Sequence, residues 1–79
     1  MSPTIFRYGP FRFFFFSREE TRMHVHVESS DGEAKSWLEP EVSLARSAGL
    51  HGAALNRIER LIIEREGLLK NAWNQHFGR

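Results

Sequence analysis

From residue 23 to residue 28 the chain reads Met-His-Val-His-Val-Glu, with apolar and polar positions alternating at period two. This is the pattern of a strand with one face buried and the other wet. Two segments rich in strand formers precede it, residues 4–8 (Thr-Ile-Phe-Arg-Tyr) and 11–16 (Phe-Arg-Phe-Phe-Phe-Phe), split by Gly9-Pro10. That breaker pair suits a tight turn, so the two segments are expected to form a hairpin. The polar stretch 17–22 reads as a loop. After the alternating strand, Asp31-Gly32 offers the positive φ angles that a two-residue hairpin turn demands, and residues 33–38 supply the next strand. With Asp31 and Gly32 as the loop, Glu28 pairs with Lys35, His26 with Trp37 and His24 with Glu39 on one face. Val25, Val27, Ala34 and Leu38, extended by Met23, then form the opposite face, which is the expected core. Pro40 ends the ladder, and residues 42–46 are expected to form a short fifth strand before Gly49 turns the chain.

Over residues 51–77 the period changes. Ala54, Leu55, Ile58, Leu61, Ile62, Leu68, Leu69, Ala72 and Trp73 recur at helical spacing along one side of a wheel. Gly67 projects to the other side, where it costs about 1 kcal/mol of propensity and marks the expected site of any kink. Gly78 is a natural stop. The predicted architecture is α+β, an antiparallel meander sheet of four to five strands packed on one long C-terminal helix.

Composition narrows the function more than it identifies it. The chain has 79 residues, eleven Lys and Arg against ten Asp and Glu, a net charge of +1 and no cysteine. One domain over residues 1–79 is expected. A disulfide scaffold, a cysteine-based zinc site and a cysteine nucleophile are excluded. The apolar run 13–16 is far short of the roughly 20 residues of a membrane span, and the start lacks the features of a signal peptide. No membrane association is expected, and the chain reads as cytoplasmic. No phosphate loop, dinucleotide fingerprint, HExxH or serine elbow occurs, so no cofactor and no metal site are expected.

The candidate chemistry lies on the polar face of the alternating strand. His24 and His26, two apart on a strand, point the same way at about 7 Å, a spacing open to metal ligation, for which no third ligand is evident, or to general acid and base work. Glu28, Trp37 and Glu39 share that face in the expected register, where a carboxylate orients an imidazole. The plainer alternative is that both histidines are polar because their face is wet. If the pair is functional, double replacement by Ala is expected to leave the fold intact while removing activity or partner binding. Arg65, central in the helix's apolar arc, is expected to snorkel along apolar neighbours or reach a partner. A mixture of Arg7, Tyr8, Phe11, Arg12, Arg18 and Arg22 resembles a stacking and phosphate-contact surface for RNA. In the run 13–16 successive rings point to opposite faces, so one pair must join the face that a single helix leaves open. Phe14 and Phe16 are the candidate interface pair.

The order Pro-Thr-Ile, His-Val-His-Val-Glu, Gly-Glu-Ala-Lys-x-Trp-Leu-Glu-Pro-Glu-Val, and a closing Arg-Ile-Glu-Arg-Leu-Ile with Ala-Trp-x-x-His-Phe resembles domain-of-unknown-function family 4160. The resemblance implies a short prokaryotic α+β domain, often encoded beside another small protein in an arrangement similar to toxin and antitoxin pairs. Its motif positions here are His24, His26, Glu28, Trp37, Glu39 and Trp73. The family pattern has two prolines before the first motif His, where this chain has Arg22 and Met23. It has Ser-Pro at the helix start, where this chain has His51 and Gly52, so a frayed first turn is expected. The resulting expectation is a small binding module acting through a protein partner or as a homo-oligomer, as one member of a toxin-antitoxin-like pair. The alternative is a small RNA-binding protein or nuclease-type toxin using His24 and His26. The residues do not decide whether the chain is an enzyme.

Overall fold

Gly9 takes a left-handed φ of 57° and, with Pro10, joins β1 (Thr4–Tyr8) to β2 (Phe11–Phe14) in the expected antiparallel hairpin, with Tyr8 opposite Phe11. The computed structural model describes residues 4–16 and 22–78, so the loop expected over 17–22 falls, except for Arg22, outside the described residues. β3 (His24–Glu28), β4 (Glu33–Trp37) and β5 (Ser43–Ala48) extend the sheet, each antiparallel to the strand before it. The spatial order β1-β2-β3-β4-β5 is the chain order, which is the meander expected from the sequence.

The β3–β4 register differs from the expected one. His24 lies opposite Trp37, His26 opposite Lys35 and Glu28 opposite Glu33. Each β3 residue meets a partner two places earlier than a two-residue turn would give, because the connection spans residues 29–32. Within it the Ser29 N–H donates to the Gly32 carbonyl at 2.9 Å, and the Asp31 N–H donates to the Ser29 hydroxyl at 3.2 Å. Neither Asp31 nor Gly32 has a positive φ. Glycine is needed at 32 for close approach instead: a Cβ there would collide with the Ala48 carbonyl oxygen and sit 2.8 Å from the Gly49 carbonyl carbon. Because side chains alternate with period two, a displacement of two places leaves every residue on its expected face. Val25 and Val27 are accordingly buried.

The helical segment is two helices, α1 (Gly52–Glu64) and α2 (Glu66–Phe77), rather than one. The break falls at Arg65, with φ −115° and ψ 23°, two residues before Gly67. There the Arg65 N–H is shared between the carbonyls of Leu61 and Ile62 at 3.1 Å each, and the guanidinium lies 5.1 Å from the Phe6 ring centre and 5.0 Å from that of Tyr8. The snorkelling expected of Arg65 therefore ends on the aromatics of β1, in cation–π contact. The first turn of α1, expected to fray, is instead capped: His51 Nδ1 accepts from the Ala54 N–H at 3.3 Å. Gly78, at φ 74°, ends α2.

Phe13, Phe15, Val25, Val27 and Leu38 of the sheet side pack against Ile58, Leu61, Ile62, Leu69 and Trp73, so the predicted stripe is the core. Phe6 stacks on Phe13 at 4.2 Å. Leu68, counted in that stripe, is instead 52% exposed. The break at Arg65 resets the helical phase, and α2 turns Leu69 and Trp73 inward at i, i+4 spacing.

Candidate functional site

The face of the sheet turned away from α1 carries the even positions of β2 and β3, and α2 reaches its His24 end through Trp73. Across it Phe14, His26, Lys35 and Arg46 stand in one row, each opposite the next on β2, β3, β4 and β5. Arg46 belongs to this row because of a bulge. Lys35 pairs with Arg46 whereas Ser36 pairs with Leu44, so Ala45 is the extra residue. In a regular strand Leu44 and Arg46 would share a face. The bulge sends Leu44 to the helix side and Arg46 to the helix-free side.

Three of the cations on this face lie over its own aromatic rings. The Arg12 guanidinium is 4.4 Å from the Phe14 ring centre, Arg22 is 4.0 Å from Trp37, and Lys35 Nζ is 4.5 Å from Trp37. Arg22 is held in that position by its Nε–H donating to the Glu39 carbonyl at 3.1 Å. Arg12 also pairs with Glu28 at 3.1 Å and donates to the Thr4 hydroxyl at 2.6 Å. Phe16 folds back over His26, with ring centres 4.3 Å apart. A hollow of about 170 Å³ remains, bounded by Phe14, Phe16, His26, Lys35 and Arg46, with Glu33 at its rim.

Of the residues singled out from the sequence, His24, His26, Glu28 and Trp37 do share this face, with changed neighbours. His26 faces Lys35 rather than Trp37, and Glu28 faces Glu33 on β4 while its ion pair runs to Arg12 on β2. Glu39 lies past the end of β4, where its carboxylate accepts from the Met23 N–H at 3.1 Å; it does not oppose His24. Phe14 is buried at 6% exposure, so of the candidate interface pair only Phe16, at 43%, is presented to solvent. The basic and aromatic mixture does not form one surface. Arg12 and Arg22 are on the helix-free face, Tyr8 and Phe11 are on the helix side, and Arg18 is outside the described residues.

The two imidazoles are closer than expected, 5.1 Å between ring centres. His24 is fully buried, edge-to-face with Trp73 at 5.1 Å and with Trp37 at 5.7 Å. Its Nδ1 carries a hydrogen and donates to the Arg22 carbonyl at 2.7 Å. At this position His24 is part of the packing between the sheet and α2 and not a wet strand residue. His24→Ala is expected to cost about 2 kcal/mol, lowering Tm by roughly 8 to 16 °C in a domain of this size, which a thermal melt followed by circular dichroism would measure. An unchanged melt would return His24 to the status of a wet strand residue.

Arg46 was not legible as a site residue, since no signal in Leu-Ala-Arg-Ser-Ala announces a bulge. Lys35 was legible as a member of the polar face but not as a neighbour of His26. Among the described residues no group of three His, Asp or Glu side chains is close enough to hold a metal ion, and no helix is long and apolar enough to cross a membrane.

No curated protein and no solved structure matches the chain. A family match does exist over residues 11–74, which takes in β2 to β5, α1 and α2 as far as Asn74 and the motif residues from His24 to Glu39. The chain belongs to the family described as Domain of unknown function (DUF4160).

Proposed function

We propose that the chain is a prokaryotic, cytoplasmic protein-binding module that docks an acidic segment of a second small protein on the helix-free face, as one member of a toxin-antitoxin-like pair. The observation that carries this reading is the set of cations on that face. Among the described residues Arg7, Arg12, Arg22, Lys35 and Arg46 share the face with Glu28 and Glu33, and Glu28 is already paired with Arg12. Guanidinium groups held over aromatic rings are pre-oriented donors, so less side-chain entropy is lost when a carboxylate arrives.

The rival reading, an RNA-binding or nuclease-type protein using His24 and His26, has less support. Bases stack on bare rings, whereas Phe14 and Trp37 are covered by Arg12, Arg22 and Lys35. A general base must reach its substrate, whereas His24 is enclosed between two tryptophans.

The test is co-expression with the product of the adjacent gene, affinity purification, and a growth assay of each gene alone. The pair is expected to copurify, and the double reversal Arg22→Glu, Arg46→Glu is expected to weaken it at least tenfold. Both side chains are exposed, so the fold should be retained. An affinity unchanged by the double reversal would remove this face from the interaction.

A further inference from the structure

We infer that the partner's acidic segment binds as a sixth strand along β5, its acidic side chains toward Arg46 and its apolar side chains toward a groove between β5 and α1. The inference rests on the reading of the chain as a protein-binding module. β5 is the last strand of the sheet, and β4 is its neighbour on one side. Leu44, Arg46, Ser47 and Ala48 are exposed. The outward N–H and C=O groups of such a strand are a template for an added strand, in which main-chain hydrogen bonds supply affinity and alternate side chains supply selectivity.

The two sides of this edge differ in chemistry. On the helix-free side lie Lys35, Arg46 and the hollow of about 170 Å³. On the helix side Leu44, 50% exposed, opens onto a second cavity of about 230 Å³ lined by Ser36, Leu55 and Ile58. The bulge at Ala45 makes the edge two-sided by sending Leu44 and Arg46 in opposite directions. Side chains of an added strand alternate between the same two sides. The complementary occupant is therefore an extended segment in which acidic and aliphatic residues alternate. A second copy of β5 fits poorly: its own residues, Ser-Leu-Ala-Arg-Ser-Ala, bring a further Arg and no carboxylate to a cationic side. β1, the opposite edge, lacks this pairing of chemistries, since Arg65 lies over Phe6 and Tyr8 on its helix side.

The experiment uses the full chain and a fluorescein-labelled octapeptide alternating Val and Glu. Controls are a Val and Lys version and two N-methylated versions, one for each phase of alternate backbone nitrogens. Anisotropy is expected to show binding of the Val and Glu peptide and at least tenfold weaker binding of the Val and Lys peptide, with the preference reversed in Arg46→Glu. N-methylation is expected to abolish binding in one phase and not in the other, because an added strand turns only alternate N–H groups toward its neighbour. Amide exchange in residues 43–48 should slow on binding. Equal binding of both N-methylated peptides, a preference unchanged in Arg46→Glu, or a dimer of the free chain that protects residues 43–48 would overturn strand addition. Peptide-induced amide shifts at Phe16, Arg22 and Trp37 without any in β5 would overturn it while leaving the binding-module reading in place. Failure of both the peptide and the adjacent gene's product to bind would remove both.

Discussion

Replacement of Trp73 by Ala is expected to leave the domain largely unfolded at room temperature. Trp73 is 1% exposed and is the largest fully buried side chain of the core. Its ring meets Phe15 edge-on at 5.3 Å, His24 at 5.1 Å and Phe77 at 4.2 Å. It thus joins the helix side of the sheet to the imidazole of the opposite face. Removing a fully buried Trp costs about 3 to 5 kcal/mol, a large share of the roughly 4 to 12 kcal/mol that domains of this length have in total. Urea titration followed by circular dichroism should find little or no native baseline. Trp73→Phe supplies the contrast. The indole N–H is buried and has no hydrogen-bond partner among the described residues, so Phe forfeits volume but no hydrogen bond, and a cooperative transition should survive. Equal losses in the two variants would show that the ring contacts are not what holds α2.

Gly32→Ala is expected to destabilise the sheet sharply for a change of one methyl. The added Cβ would meet backbone, the Ala48 carbonyl oxygen and the Gly49 carbonyl carbon, and no side chain can rotate away to relieve it. Overpacking of this kind costs about 1 to 3 kcal/mol where neighbours can yield; here the 29–32 loop and the end of β5 must separate. Differential scanning calorimetry should record a markedly lower Tm, while Gly67→Ala, with open space around the added methyl, should raise it slightly through helix propensity. A Gly32→Ala melt at the wild-type temperature would show that the loop does not press against β5.

Gly32 also illustrates where sequence reading succeeded and where it stopped. The faces of β3 and β4 were legible because Met-His-Val-His-Val-Glu fixes them by alternation alone, and an error of two places in pairing cannot exchange them. The register was not legible, because it depends on whether the turn uses two residues or four. The glycine that suggested a two-residue turn is required by β5, a neighbour sixteen residues further on. The same division holds for the helices. Ile58, Leu61, Ile62, Leu69 and Trp73 declare a buried stripe, but the change of direction occurs at Arg65, two residues before Gly67, where the contacts are with Phe6 and Tyr8 of β1. At the candidate site, His24, His26, Glu28 and Trp37 were legible as one face. The burial of His24 follows from Trp73 reaching it across a distance in sequence that periodicity does not span, and the position of Arg46 follows from a bulge of one residue.

The sequential strand order has a consequence for the chain as it is being made. Each strand pairs with the one just completed, so the sheet can assemble from local contacts, the kind that close fastest. The face formed by Phe13, Phe15, Val25 and Val27, however, is covered by Ile58, Leu61, Ile62, Leu69 and Trp73, all of which emerge from the ribosome after the last strand. At about 5 to 20 residues per second, a sheet with an uncovered Phe-rich side must persist for roughly a second or more before α2 can close over it. During that interval its apolar side is open to other chains, the condition under which incompletely folded chains aggregate.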